Sequence, residues 1–242
     1  MKKIFNKFLS ILPGNSILTL DDIEKIVKGC EDNNLEQIKS IFQERKIRLF
    51  SLPCKKLLNL VSDRGYTEIF EYLLSSSDTK EFQNTKLDEA LILACLKKSE
   101  GGVQIAKYIL SSTQLRKNID MDKLNEHVLL ASCRSMNIPI IKFILEDSEL
   151  SSYIDIHHNN DEVFKYSFYS KEMNFIHYLI FDKKITRTKD IDELLKNEPN
   201  QDDLKAENKY TNHMFDIRKM NKELHSELKS VSNISKTKVV KL

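Results

Sequence analysis

A nine-residue phrase returns five times along this chain, at residues 34–42, 66–74, 102–110, 137–145 and 172–180. Its second position falls at Leu35, Thr67, Val103, Ile138 and Met173, so the steps are 32, 36, 35 and 35 residues. A period of that size marks a solenoid of stacked helical pairs, in which no pair can bury its apolar face alone. Inside the phrase the apolar positions recur at helical spacing, as in Leu35, Ile38, Ile41 and Phe42, or Ile138, Ile141, Ile144 and Leu145. Each phrase therefore predicts the second helix of a pair. An apolar stretch and a polar turn precede it: Ile23, Ile26 and Val27 before residues 30–34, or Leu57, Leu58, Leu60 and Val61 before residues 63–65.

Two register positions support the alignment. An aromatic precedes the final apolar pair at Tyr72, Tyr108, Phe143 and Tyr178, with Ser40 in the first copy. Small residues occupy the first helix at Gly29, Ala94-Cys95, Ala131-Ser132 and Ser167, where they let stacked helices approach closely; Leu60-Val61 departs from this. Gly65 suits a left-handed turn position, and Pro139 falls in the first turn of its helix, where a missing N–H costs little. Residues 75–86, 111–123 and 146–160 are polar and predict loops or fingers between the pairs.

The ends are organised differently. In residues 1–18, Ile4, Phe5, Phe8, Leu9 and Leu12 share one helical face, which predicts a cap over the first pair; a membrane-surface helix is the alternative. Residues 19–186 form the repeat domain, and 187–231 a helical extension with a short closing helix at Ile191, Leu194 and Leu195. A second helix, from about 202 to 229, carries the stripe Tyr210, Met214, Ile217, Asn221, Leu224, Leu228 and Val231. Its steps of three and four resemble a short coiled-coil seam with Asn221 at a core position, which offers a homodimer through Met214, Ile217, Asn221, Leu224 and Leu228. Residues 232–242 are expected to be disordered.

Composition excludes several function classes. A formal charge of +2 argues against a general polyanion partner, so no nucleic-acid binding is expected. Lys39, Lys107 and Lys142 share a register position, but Glu71 and His177 interrupt the row, which predicts a solvated helix face. No apolar run is long enough to span a membrane, and Asn6 and Lys7 break the N-terminal run, so a signal peptide is not expected. Cys30, Cys54, Cys95 and Cys133 are widely spaced and predict reduced core thiols in a cytoplasmic protein.

The phrases resemble the second helix of the ankyrin-repeat family in a divergent form. Asn33-Asn34-Leu35-Glu36-Gln37-Ile38-Lys39 is similar to the front of that helix, and Lys107-Tyr108-Ile109-Leu110 and Lys142-Phe143-Ile144-Leu145 to its back. Asn160-Asp161-Glu162-Val163-Phe164 is similar to the start of a unit. No copy has the T-P-L-H tetrapeptide; Asp22-Ile23-Glu24-Lys25, Asp88-Glu89-Ala90-Leu91 and Asn125-Glu126-His127-Val128 stand in its place. The resemblance implies protein binding through fingers and first-helix surfaces, with no catalytic residues and no cofactor. Another helical-pair solenoid is the alternative fold. The lysine- and asparagine-rich style resembles repeat proteins of viruses, phages and intracellular bacteria, which implies binding and inhibition of a host factor in the host cytoplasm.

Candidate chemistry is sparse. Asp155, His157, His158 and Asp161 form the densest set of potential metal ligands, but adjacent histidines do not ensure converging geometry, and a polar inter-pair loop is the expectation. Asp120 and Asp122 flank Met121 but lack the remaining ligands of a calcium loop. His127 and Cys133 lie six residues apart and share no helical face, so no nucleophile–base pair is expected. Gly101-Gly102 lacks the rest of a phosphate loop. The chain therefore reads as an all-α solenoid of about five stacked helical pairs with a helical C-terminal extension, a non-enzymatic protein-binding module. Its candidate contacts are Phe82, Gln83 and Asn84, then Arg116 and Asn118, then Tyr153, His157 and His158 in three successive inter-pair loops. Self-association through the C-terminal helix is the competing function.

Overall fold

The fold is given by a computed structural model, which describes residues 20–44, 54–196 and 205–239. The chain is all-helical, with no strand among the described residues. It divides into two compact units, residues 1–154 and 155–242. The boundary precedes the fifth phrase, which therefore shares a unit with the C-terminal helices, whereas the sequence divided the chain at 186. The proposed N-terminal cap at 1–18 lies outside the described residues.

Among its described residues the first unit contains four helical hairpins: α1 (Leu20–Glu31) with α2 (Leu35–Glu44), α3 (Cys54–Arg64) with α4 (Thr67–Ser75), and α5 (Asp88–Leu96) with α6 (Glu100–Ser111). A short α7 (Thr113–Arg116) comes next. The fourth hairpin is a π-helical turn (Leu124–Leu129) running into α8 (Leu130–Arg134), then α9 (Ile138–Glu146). Each of the first four phrases thus begins at or near the start of a second helix. First helices pack on first helices, α1 on α3, α3 on α5 and α5 on α8; second helices pack likewise, α4 on α6 and α6 on α9.

The predicted apolar positions fill the core between them. Ile38, Leu58, Val61, Phe70, Leu73, Leu91, Ile109, Leu110, Ile141 and Ile144 are fully buried. Complete burial of one such side chain is worth about 1.5–3 kcal/mol. The recurring aromatics bridge neighbours edge-on: Tyr72 meets Phe42 at 6.2 Å and Tyr108 meets Phe70 at 6.4 Å between ring centres. Such pairs add about 0.5–1.5 kcal/mol beyond area.

Four of the described hairpin turns share one backbone device. Asn33, Gly65, Met136 and Lys171 each directly precede a phrase, and all have positive φ, at 54°, 71°, 50° and 58°. The next N–H reaches back five residues: Asn34 to Gly29 O at 2.8 Å, Tyr66 to Val61 O at 2.9 Å, Asn137 to Ser132 O at 2.8 Å and Glu172 to Ser167 O at 3.0 Å. This is a left-handed helix stop that satisfies carbonyls the helix leaves open. The register also explains two of the small residues. Ser132 and Ser167 donate their hydroxyls to the carbonyls of Val128 and Val163, four residues back, at 2.8 and 2.6 Å.

The third hairpin lacks this stop, because α5 ends at Leu96 with Lys97 in an extended conformation. Ser99 instead caps α6, accepting from Gly102 N at 3.2 Å. The carbonyls left at the end of α5 are taken by the next turn: Asn137 Nδ2 donates to Cys95 O at 3.2 Å and to Lys97 O at 2.7 Å, and Ser135 Oγ donates to Cys95 O at 2.9 Å. Gly101 lies so close to the preceding turn that an added Cβ would stand 2.0 Å from Gly65 O.

The second unit comprises α10 (His158–Tyr169), α11 (Met173–His177) with a π-helical continuation (Tyr178–Asp182), α12 (Lys189–Lys196) and α13 (Lys205–Val239). The closing helix lies where the sequence placed it, and the break at 197–201 falls outside the described residues. Helix α13 continues to Val239, past the predicted end near 229 and through most of the segment expected to be disordered. Its first half is anchored: Asn208, Thr211, Met214 and Phe215 are buried, and Phe215 packs on Phe164 at 6.0 Å. Residues 219–226 are exposed on every side.

Candidate partner-binding surface

Three connections, each following a hairpin of the first unit, fold back on one another. The second carries a 3-10 segment (Ser77–Asn84), the third contains α7 and a 3-10 turn (Met121–Lys123), and the fourth a 3-10 turn (Leu150–Tyr153). The sequence read these segments as loops or fingers; they are built of short helical turns.

Asn118 joins the second connection to the third. Its carbonyl accepts from Leu87 N at 2.9 Å, and its Nδ2 donates to Gln83 O at 2.5 Å. Two residues on, Asp120 N donates to Asp88 Oδ1 at 2.7 Å. Arg116 joins the third to the fourth. It is buried, donates from Nε to Leu110 O at the end of α6, and pairs through Nη1 with Glu149 at 2.5 Å and through Nη2 with Asp147 at 3.5 Å. Asp147 also accepts from Leu150 N at 2.8 Å and Glu149 N at 3.0 Å. These hydrogen bonds, led by that from Leu150 and assisted by Arg116, hold its carboxyl below the usual range. Asn125 Nδ2 donates to Tyr153 O at 2.9 Å and fixes the last turn.

The candidate contacts therefore sort by role. Phe82 is fully buried, a core residue rather than a surface anchor, because its turn folds inward and places the ring in the main apolar cluster. Arg116 and Asn118 hold the loops together, and their polar atoms are used internally. Gln83 is half-buried with its carbonyl taken, while Asn84 is exposed. Tyr153 is 41% exposed and presents a large aromatic.

What these rivets hold up is a concavity of about 590 Å³ lined by Lys86, Thr113, Arg116, Lys117, Ile119, Asp120, Met121, Asp122, Glu149 and Tyr153. Of these the sequence offered Arg116 and Tyr153 as contacts and noticed Asp120 and Asp122 only as an incomplete calcium loop; Lys86 and Lys117 lie in segments read only as polar loops or fingers. Each lysine directly precedes a residue with a buried or bonded backbone, Leu87 and Asn118, and only the fold reveals that.

His157 and His158 belong to the second unit. His157 Nδ1 contacts the buried carboxylate of Asp161, whose other oxygen accepts from the Thr188 hydroxyl. Thr188 also caps α12, accepting from Ile191 N at 3.2 Å. Here the carboxylate stands between imidazole and hydroxyl. A nucleophilic triad needs the imidazole in the middle, which this order does not provide. Asn159, Asn160 and Asp161 are consecutive left-handed residues, with φ of 51°, 60° and 64°, the conformation that Asn and Asp tolerate best among side chains. Among the described residues no group of three or more His, Cys, Asp or Glu side chains is placed to hold a metal. Cys133 is buried and His127 exposed, so they do not share an accessible site. No helix among the described residues is long and apolar enough to cross a membrane.

Compared with protein-family models, curated proteins and solved structures, the chain matches none.

Proposed function

We propose that this chain is a non-enzymatic protein-binding module, built as an ankyrin-like solenoid of about five helical pairs, that holds a partner protein against its inter-pair loops. One observation carries the reading. Buried Arg116 and half-buried Asn118 lock three loops together, yet the surface so fixed is exposed, charged and aromatic. Preorganised loops on a rigid frame lower the ordering cost of binding. The common turn geometry at Asn33, Gly65, Met136 and Lys171 supports the repeat reading, since it recurs at one register position. The style of the sequence supports a viral, phage or bacterial protein that blocks a host factor in the cytoplasm.

The test is affinity capture from the native cell with full-length chain and with the combined variant Lys117→Glu, Asp122→Lys, Tyr153→Ala. Loss of one abundant partner with unchanged thermal unfolding supports the reading. Equal recovery by both proteins places binding elsewhere.

A second reading is self-association. Leu224 is 53% and Met220 55% exposed on α13. Met214, which the sequence placed in the dimer seam, is buried within its own unit, so the seam reduces to Ile217, Asn221, Leu224 and Leu228. Light scattering of the full chain against a truncation after Arg218 decides it: a monomer in both forms removes this reading.

A further inference from the structure

We propose that the loop concavity takes an acidic stretch of the partner protein, seating a carboxylate between Lys86 and Lys117 and an adjacent apolar or aromatic side chain against Met121 and Tyr153. This rests on the loop-surface reading above and adds the chemistry of the ligand.

The charges of the concavity balance in number but not in pairing. Arg116 faces two carboxylates, Asp147 and Glu149, and Asp120 lies 3.8 Å from Lys123. Asp88, two residues from Lys86, uses its carboxylate on Asp120 N. Two lysines and one acid of the lining remain: Lys86, Lys117 and Asp122 pair with no described side chain. The backbones that carry the two lysines are pinned to one another. Leu87 N donates to Asn118 O at 2.9 Å, and Lys86 and Lys117 are the residues immediately before the two ends of that hydrogen bond. Leu87 is fully buried and Asn118 is further held through Gln83, so neither backbone can retreat. Two cations without an anionic partner, carried on pinned backbones in one lining, attract an anion. A carboxylate-bearing loop or peptide is the protein chemistry that fits. Half-buried Met121 and exposed Tyr153 in the same lining supply the apolar contact that gives such an encounter its affinity.

The probe is a displayed random library of peptides of about twelve residues, panned against the full chain. Selected sequences are expected to pair Asp or Glu with a neighbouring aromatic or aliphatic residue. Their affinity is expected to fall at least about tenfold in Lys86→Glu, Lys117→Glu protein and to weaken in about 0.5 M salt, where exposed charges are screened. Both lysines are exposed, so thermal unfolding of the variant serves as the fold control. Selected peptides without acidic enrichment that still lose binding on Tyr153→Ala overturn the acidic ligand and leave the loop surface standing. Peptides indifferent to every loop variant, or none selected, overturn both. An oligouridylate that binds more tightly than the selected peptides, through the same lysines, makes phosphate the ligand and also overturns the proposal.

Discussion

The side-chain amide of Asn137 donates to the carbonyl of Cys95, 42 residues earlier, and thereby closes a helix that has no stop of its own. Asn137 is buried and donates to Lys97 O as well. Asn137→Ala leaves the Lys97 carbonyl without this donor, while Ser135 still serves Cys95. The expected loss is about 1–3 kcal/mol, the usual cost of stranding buried polar groups. Asn137→Asp should be worse than alanine, because it turns a carboxylate toward two carbonyl oxygens. Urea unfolding midpoints of the three proteins check the order.

Lys171 is exposed and sits in the left-handed stop of the fifth hairpin with φ of 58°. Lys171→Gly should stabilise by up to about 1 kcal/mol, because glycine adopts this conformation without a Cβ penalty. Gly65→Ala, at φ 71° and with its Cβ position 3.0 Å from Ser99 Oγ, should destabilise. Opposite signs in thermal unfolding are the expected result; equal signs would discount the shared turn.

Arg116 and Asp147 make the fourth loop sensitive to acid. The carboxyl of Asp147 is held low by the Leu150 and Glu149 N–H groups and by Arg116. A depressed carboxyl contributes stability that is present above its ordinary value of 3.8 and lost as pH falls through the folded value. Hydrogen exchange of Leu150 N–H should therefore quicken in that acidic range. Arg116→Lys should cost about 1–3 kcal/mol, since an ammonium cannot serve Leu110 O and two carboxylates with one planar fork.

The buried thiols have a different signature. Burial pushes Cys30 and Cys95 up to about 12, whereas Cys54 is half-buried. The folded state keeps protons that the unfolded chain releases above 9.0, so their contribution is complete below that pH and declines as pH rises toward about 12. At neutral pH an alkylating reagent should label Cys54 first. Prompt labelling of Cys95 would contradict its burial.

How far the sequence carried can be judged at single residues. The helix faces were legible because burial follows spacing: Ile38, Ile109 and Ile144 are all core. The turns were legible as turns, but Met136 and Lys171 gave no hint of positive φ, since the stop is imposed by packing and not by residue type. Arg116 looked like a loop cation because its partners Asp147 and Glu149 lie some thirty residues away. Phe82 looked like an exposed anchor for the same reason; a polar neighbourhood in sequence says little about which way a turn folds. The length of α13 was missed because its serine- and lysine-rich end lacks an apolar stripe that would mark a helix.

Helix α13 gives the sharpest separation of structure from association. Asn208 donates to Leu195 O at 2.6 Å and closes α12, and Arg187 reaches Asn212 at 2.7 Å while stacking 5.3 Å from the Phe215 ring. Arg218 donates to Ile185 O at 2.5 Å and Lys184 O at 2.8 Å. A truncation at 200 removes all of these contacts together with buried Met214 and Phe215, so it should unfold the second unit, at about 2–5 kcal/mol for each large core side chain lost. A truncation after Arg218 keeps every one of them and removes only the distal part of the helix and the tail, including the fully exposed 219–226 stretch. It should leave the unfolding midpoint of the second unit unchanged. Comparing the two by thermal unfolding, and the longer one by sedimentation, assigns residues 205–218 to the fold. Any change in assembly then belongs to the helix beyond them, where Leu224 is the side chain whose replacement by aspartate should matter most.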